Sequence, residues 1–383
     1  MKYKAGKTAG TRRVAAVMLL LVVCLSSFVH ASAQTTVKVG VMLPLHDEDG
    51  DGRRMIEYYR GILMACEQLR GEGISTDIRA WNVAIGDDIR MTLLEKGASD
   101  RDIIFGPLYT RQVQALGEFA KAYNIKVVIP FSINGNDVDT NPQIFQVYRS
   151  TEDFNNESIE RFLSMFGKYH PVFIDCNDRE SGKGIFTFGL RRRLEALGID
   201  YGITNVNTDD KVFACSFSTD KPNIVILNTA RSPELTAVIR KLDALKASAG
   251  DISLSMYGYT EWLMYENADR EKFFEYDTYI PSYFYYNPSS AAVQDIEKRY
   301  RANFSTGMIN ALPRFAITGY DHAMFFIRGM ARQGDDFIGG ATDRKTLQSG
   351  LKFVRAATGG GMKNAAFMLV HYNRDKSIST ITF

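Results

Sequence analysis

The sequence predicts an α/β protein built from two doubly wound parallel-sheet lobes joined by a multi-strand hinge. Strand-like and helix-like segments alternate along the chain, one stretch contains a complete strand, turn, helix and strand, and the same alternation starts again after residue 150. Alternating strands and helices form a parallel sheet with helices on both faces. Two similar halves in one chain leave a cleft between them.

The clearest unit spans residues 102–132. The apolar run Ile103–Phe105 and the Gly-Pro pair after it are typical of a buried strand that ends in a turn. The next strand is predicted at 126–130. Ligands bind at the carboxyl ends of such parallel strands, which here are the turns at 106–111 and 131–136. The helix between the strands is indicated by apolar residues at helical spacing: Val113, Leu116, Ala120 and Tyr123.

Residues 1–33 predict a secretory signal peptide. The segment begins with basic residues, continues with a short apolar run and ends in the A-x-A pattern that closes at Ala33. A lipoprotein anchor at Cys24 and a twin-arginine signal at Arg12-Arg13 are weaker alternatives, because the flanking residues do not match those signals. We therefore expect cleavage after Ala33 and a periplasmic mature chain without a transmembrane segment.

The charge balance argues against nucleic acid as a partner. The predicted leader contains five cations and no acidic residue, so the 46 basic residues fall to 41 against 44 acidic ones. A slightly negative chain without basic blocks is a poor match for a polyanion. The G-x-S-x-G, H-E-x-x-H and phosphate-loop motifs are also absent from the sequence. These observations favour a binding protein and not an enzyme.

Three cysteines follow the predicted leader. Cys66 falls on the apolar face of the first predicted helix, which indicates a core position. An export pathway permits disulfides, so pairing of Cys176 with Cys215 stays open at this point. Sequence spacing alone gives no distance between them.

The acidic loop after the first strand raises a calcium hypothesis. Asp47, Asp49, Asp51 and Gly52 match the start of a D-x-D-x-D-G loop, in which alternate carboxylates surround a hard cation. The glutamate expected at the twelfth position is replaced by Tyr58. The simpler interpretation is that acidic residues precede the positive end of a helix. Calcium is therefore the weaker of the two interpretations, and no other cofactor is expected.

The turn formed by Tyr109, Thr110 and Arg111 is the first candidate ligand site. It begins a predicted helix, whose free backbone N–H groups can hold a carboxylate or another anion. The Thr110 hydroxyl and the Arg111 charge would add to such a site. The competing interpretation is that Thr110 is an ordinary helix cap.

The second half of the chain offers a facing wall at residues 257–262. Glu261 is placed to meet an ammonium group, and Tyr259 or Trp262 is placed to stack on a ligand. Asn228 follows the neighbouring predicted strand and is a further wall candidate. The competing interpretation puts Glu261 at a helix N-terminus and Trp262 in the core.

Residues 102–132 resemble the type I periplasmic binding proteins, and in particular the branched-chain amino acid receptors. A first strand that ends in Leu-Pro-Leu, a helix that contains Tyr-Arg-Gly, and the segments FQVYRS and YIPSYFYY are similar to further parts of that family. The resemblance implies that lobe 1 comprises residues 34–149 and 285–345, and that lobe 2 comprises residues 150–284 and 346–383.

The resemblance also implies a site and a function. Thr110 and Ser132 occupy positions whose hydroxyls hold a ligand carboxylate in the family, and Asn134 lies in the same loop as Ser132. The implied function is capture of a small polar ligand, such as an amino acid, for an inner-membrane transporter or for sensing. The alternative is an interaction module that regulates cell-wall enzymes through protein contacts. An open cleft with converging polar groups would favour the solute, and a plugged cleft would favour the protein partner.

Overall fold

The computed structural model describes residues 36–131, 136–340 and 346–383, which form two seven-stranded sheets with helices on both faces. The strands are β1 (Thr36–Leu43), β2 (Ser75–Asn82), β3 (Ile103–Phe105), β4 (Lys126–Ile129), β5 (Ile144–Gln146), β6 (His170–Asp175), β7 (Gly202–Asn205), β8 (Asn223–Leu227), β9 (Leu254–Tyr257), β10 (Thr278–Ser282), β11 (Phe353–Arg355), β12 (Met362–Asn364), β13 (Met368–Tyr372) and β14 (Ile378–Thr382).

The α-helices lie between these strands and after β10. They are α1 (Gly50–Gly71), α2 (Ile89–Leu93), α3 (Thr110–Tyr123), α4 (Asp137–Thr140), α5 (Thr151–Phe166), α6 (Gly184–Ala196), α7 (Asp210–Ala214), α8 (Ser232–Ala249), α9 (Glu266–Glu275), α10 (Ala291–Phe304) and α11 (Phe315–Gln333). Within the described ranges, no helix is both long enough and apolar enough to cross a bilayer.

Lobe 1 is the sheet with the order β2-β1-β3-β4-β5-β12-β11. Its strands β1 to β5 are parallel because helical crossovers connect them. β3 and β4 are buried along their whole length, as expected for strands covered on both faces. α1 and α11 pack backbone to backbone on one face, because Gly61 faces the carbonyl of Ala316 and Gly319 faces the carbonyl of Tyr58. A Cβ atom at either glycine would collide with the opposite helix.

Lobe 2 is the sheet with the order β7-β6-β8-β9-β10-β13-β14. It repeats the strand order of lobe 1, except that β13 runs antiparallel to β10, whereas β12 of lobe 1 runs parallel to β5. In both lobes the last strand of the order is antiparallel to its neighbour. Its core contains Trp262, which is fully buried and stacks on Phe273 with ring centroids 5.8 Å apart. The two-lobed α/β fold class predicted from the sequence is therefore confirmed.

The chain passes between the lobes three times. The first crossover (147–150) follows β5, the second crossover (283–286) follows β10, and the third crossover (365–367) lies between β12 and β13. The sequence prediction that residues 346–383 all belong to lobe 2 is wrong for β11 and β12. β12 pairs in parallel with β5 of lobe 1, and Phe353 packs against Phe145 in the core of that lobe.

The three cysteines of the described residues are not paired with one another. Cys66 is buried as predicted, and burial raises the pKa of its thiol to about 11. Cys176 is buried and Cys215 is exposed, and both thiols are free. The disulfide left open by the sequence is thus absent, because β6 carries Cys176 into the core of lobe 2 while Cys215 lies at the surface.

Candidate functional site

A cavity of about 410 Å³ lies between the lobes, where the crossovers pass from one sheet to the other. Its size suits one small molecule. Both lobes contribute to its wall because the carboxyl ends of β4 and β9 and the first turns of α5 and α11 all reach it. The wall includes Phe131, Tyr148, Arg149, Phe154, Asn155, Lys183, Tyr259, Glu261, Tyr283, Leu312, Phe315 and His322.

The wall from lobe 1 is mostly apolar. Phe131 follows β4 and Phe315 begins α11, and their ring centroids are 5.6 Å apart. Pro130 and Leu312 extend this surface. The ring of Phe131 also packs edge-on against buried Tyr58, at 5.3 Å, which fixes its position at the cavity.

Aromatic rings of the first two crossovers and α5 form a second part of the wall. Tyr148 lies edge-on to Tyr283 with ring centroids 5.3 Å apart, and Phe154 lies edge-on to Tyr283 at 6.1 Å. Burial raises the pKa of Tyr283, so its phenol is neutral. This part of the wall offers ring faces and edges to a ligand but no charge.

Arg149, on the first crossover, brings a positive charge to the cavity. Its guanidinium donates hydrogen bonds to the carbonyls of Ala366 and Asp153, each at 3.2 Å. Burial lowers the pKa of Arg149, but an arginine stays charged. The bond to Ala366 also ties the first crossover to the third.

Lys183 and Glu261 form an ion pair on the lobe 2 wall. Lys183 Nζ donates to Glu261 Oε1 at 2.7 Å and lies 4.9 Å from the centre of the Tyr259 ring. The Tyr259 hydroxyl donates to the carbonyl of Leu227, at the end of β8. The pair is about one-third exposed, and its two charges compensate each other at the cavity edge.

The floor of the cavity contains a buried histidine. Nδ1 of His322 lies 2.9 Å from the hydroxyl oxygen of Tyr58, and burial lowers the pKa of His322 to about 3. His322 is therefore a neutral ring at physiological pH. Its neighbour Asp321 points away, toward residues 347–349, and accepts hydrogen bonds from their three backbone N–H groups.

Comparisons with known proteins identify the fold. No protein-family model and no curated protein sequence matches the chain. It is similar to the solved structure of a putative branched-chain amino acid ABC transporter from Rhodospirillum rubrum, with 14% identity, a TM-score of 0.59, and coverage of 90% of this chain and 100% of that one. The chain has the type I periplasmic binding protein fold.

Two further solved structures have the same fold. One is a branched-chain amino acid ABC transporter periplasmic ligand-binding protein from Burkholderia xenovorans, at 12% identity and a TM-score of 0.51, covering 90% of this chain and 94% of that one. The other is an ABC transporter substrate-binding protein from Sphaerobacter thermophilus, also at 12% and 0.51, covering 91% and 97%.

Within this type I fold, the turn predicted as a ligand site lies outside the cavity wall. Thr110 and Arg111 are exposed at the start of α3. The Tyr109 hydroxyl donates to Asp51 Oδ2 at 3.4 Å, and burial together with Asp51 and Asp49 raises the pKa of Tyr109 to about 12. The other candidates of lobe 1, Ser132 and Asn134, lie outside the described residues.

The predicted residues of lobe 2 fall in two places. Tyr259 and Glu261 both line the cavity. Asn228 does not: its Oδ1 accepts from the Cys176 N–H at 2.9 Å and its Nδ2 donates to Asp175 Oδ1 at 2.8 Å. It therefore joins the ends of β6 and β8, and its amide is occupied within the protein.

The three aspartates of the calcium hypothesis have separate local contacts. Asp49 is the N-cap of α1 and accepts from the Gly52 N–H at 2.7 Å, and Asp51 pairs with Arg54 at 3.1 Å. The backbone carbonyl of Asp47 accepts from Arg53. In the described part of the chain, no three acidic, histidine or cysteine side chains converge as a metal site. Calcium stays a prediction for which this geometry offers no support.

The polar wall residues that sequence reasoning missed include Arg149, Asn155, Lys183 and His322. Arg149 lies in the segment FQVYRS, which the sequence identified only as a crossover. Since crossovers meet at the hinge, a charged residue within one was the available signal. His322 carried no local signal, because its approach to the cavity depends on the packing of α11 against α1.

Proposed function

We propose that this chain is a periplasmic solute-binding protein that captures a small molecule in the hinge cavity. The observation that supports this proposal is a cavity of about 410 Å³ between the lobes. Both lobes contribute to its wall, and charged side chains lie on that wall. A ligand in such a place contacts both lobes together, so its binding favours the closed arrangement. The chain binds and releases the solute unchanged, for uptake by an inner-membrane transporter or for sensing.

Export is part of the proposal. Residues 1–33 act as the signal peptide, and the mature chain works in the periplasm. Expression of the full chain, purification from the periplasmic fraction and N-terminal sequencing test this point. We expect the mature protein to begin at Gln34. A chain recovered only from the cytoplasm, or one that keeps its leader, would contradict export.

Thermal unfolding of the periplasmic protein against a broad ligand panel tests solute binding. The panel contains amino acids, organic acids, sugars, small peptides and cell-wall fragments, with calcium as a separate arm. A ligand at about 100 times its dissociation constant stabilises the folded state by roughly 2.7 kcal/mol, which raises the unfolding midpoint. No shift with any small molecule, under conditions where a known binding protein responds, would favour a protein partner such as a cell-wall enzyme.

A further inference from the structure

Among the described residues, the cavity wall has one positive charge that no ion pair compensates. The ionisable side chains of this part of the wall, apart from tyrosines, are Arg149, Lys183, Glu261 and His322. The charges of Lys183 and Glu261 cancel in their ion pair, and His322 is neutral because of its burial. Of these described side chains, Arg149 is the one that offers a net charge to a ligand.

No acidic side chain of the described residues pairs with Arg149. The two carboxylates that act on it electrostatically are those of Glu157 and Asp153. Glu157 forms an ion pair with Arg161 at 2.6 Å, and the carboxylate of Asp153 accepts from the Ser150 hydroxyl at 2.7 Å. Neither carboxylate is in ion-pair contact with the Arg149 guanidinium. A partly buried charge that lacks such a contact is costly, so an anion that enters the cavity is stabilised there.

Arg149 also keeps donors for such an anion. A guanidinium has five N–H groups, and Arg149 uses two of them on the carbonyls of Ala366 and Asp153. Asn155, half-buried on α5, lines the same cavity, and its side-chain amide makes no hydrogen bond within the described residues. Guanidinium and amide N–H groups on one wall are a suitable donor set for a carboxylate.

The remaining wall favours an apolar body without a second charge. Phe131 and Phe315 form one side, and Tyr148, Phe154 and Tyr283 form another. A ligand ammonium would need a free acidic partner, but the one carboxylate on the described wall, that of Glu261, is already bound by Lys183 at 2.7 Å. The described wall therefore provides a charged partner for an anionic head and rings for an apolar body, but no free carboxylate for a cation.

We propose that the solute is a small monocarboxylate with an apolar, ring-sized body, whose carboxylate binds Arg149 and Asn155. This inference rests on the proposed solute-binding function and names its ligand class. It distinguishes the chain from a receptor for zwitterionic amino acids, because an α-ammonium group would find no free carboxylate on the described wall.

The first test uses the unchanged protein and isothermal titration with matched ligand sets. Each set contains an acid, its primary amide, the amine that replaces the carboxylate and the α-amino acid, for example 3-phenylpropanoate, 3-phenylpropanamide, phenethylamine and phenylalanine, with an aliphatic set built on 4-methylpentanoate. We expect the acid to bind at least roughly tenfold more tightly than its amide, as for a hydrogen bond to a charged group. The amino acid should bind more weakly than the acid.

The outcomes separate this inference from the proposed function. If an amide, amine or amino acid binds as tightly as its acid, the solute-binding function stands and the carboxylate inference falls. If no member of the sets binds, the inference also falls, while the broad thermal panel still decides whether the chain binds another solute. Neither result requires a variant to fold.

The second test assigns the preference to Arg149. In Arg149→Gln, the ratio of acid to amide affinity should fall to near one. The matched control is Arg231→Gln. Arg231 precedes α8 in lobe 2, its side chain is 59% exposed and pairs with Asp178 at 3.7 Å, and it lies outside the cavity wall. The control should keep the ratio. A preserved ratio in folded Arg149→Gln would restrict Arg149 to joining the crossovers and would overturn its role.

Discussion

The two lobes have the same strand order around their parallel strands, yet they present different walls to the cavity. Lobe 1 contributes the rings of Phe131 and Phe315, whereas lobe 2 contributes Asn155 and the pair Lys183 and Glu261. The repeated topology therefore places strand ends on both sides of the cleft without fixing their chemistry. The side chains around the strand ends decide it. Here they give lobe 1 a mostly apolar wall, with neutral polar groups such as His322, and lobe 2 the polar wall, which carries the ion pair beside rings such as Phe154.

This difference orients a ligand. An amphipathic solute has its head stabilised beside the polar wall and the first crossover, and its body beside lobe 1. Exchange of head and body would bury a carboxylate against phenyl rings and leave Arg149 without a counter-ion, both of which are unfavourable. The largest effect of a substitution is expected at the hinge, where the two walls are held relative to each other.

Asp321→Ala should destabilise the fold most. Asp321 is buried and accepts from the N–H groups of Leu347, Gln348 and Ser349 at 2.7–2.9 Å. The segment around Ser349 in turn pairs with Phe284 of the second crossover. Loss of the acceptor leaves buried N–H groups unpaired, so we expect the free energy of unfolding to fall by about 3 kcal/mol.

Urea unfolding measures this loss. Asp251→Ala is the control, because Asp251 is exposed and has no hydrogen bond within the described residues. The control should change stability by less than about 0.5 kcal/mol. A loss below about 1 kcal/mol in Asp321→Ala would mean that the segment keeps its place without the carboxylate.

The pH dependence of stability should reveal two opposing groups on α11. Burial raises the pKa of Asp321 to about 6, from about 3.9 in the unfolded chain, so the folded state binds the extra proton between these values and gains stability as pH falls. Burial lowers the pKa of His322 to about 3, from about 6.5, so the unfolded state binds the extra proton and stability falls with pH. From pH 6 to pH 4 the two contributions oppose each other.

Asp321→Asn separates them. The variant retains an acceptor oxygen but loses the titrating carboxyl, so only the His322 contribution remains. Relative to the parent, the variant should lose up to about 1.4 kcal/mol of stability for each pH unit between 6 and 4. Urea unfolding of both proteins at several pH values measures the difference. Parallel curves would show that Asp321 does not titrate in this range.

Phe131→Ala tests the apolar wall. Removal of the ring takes away apolar contact with the ligand body, so we expect roughly tenfold weaker binding of acid and amide alike. The ratio between the two ligands should therefore persist, in contrast to Arg149→Gln. Phe188→Ala, a phenylalanine that is 57% exposed and outside the cavity wall, is the control for titration calorimetry. A change in the ratio would place the head, and not the body, beside lobe 1.

The sequence predicted the fold better than the site, for a physical reason. Strands such as β3 and β4 are continuous apolar runs, and the helix after β3 has one apolar face, so short windows contain their signals. β11 and β12 have three residues each, and their place in lobe 1 depends on pairing with β5, more than two hundred positions away. No local pattern carries that information.

Residues of the cavity wall are likewise predictable only where a local pattern precedes them. Tyr259 and Glu261 directly follow a strand that the sequence predicts, and both line the wall. Arg149 and His322 reach it through the meeting of crossovers and the packing of α11 on α1, which combine distant parts of the chain. Lys183 forms its ion pair with Glu261, which lies 78 residues later in the sequence.

Thr110→Ala should have the smallest effect, and it compares the exposed turn at 109–111 with the hinge cavity. Thr110 is exposed at the start of α3, and the turn is outside the cavity wall, so a ligand held by the hinge makes little contact with its hydroxyl. We expect binding of the preferred acid to change by less than about threefold, or about 0.6 kcal/mol. Asn155→Ala, measured by the same titration, is the matched loss of one polar group inside the cavity and should cost more. A larger loss in Thr110→Ala than in Asn155→Ala would mean that the ligand carboxylate binds at the N-terminus of α3, as the family resemblance implies, and that the polar wall of lobe 2 holds another part of the solute.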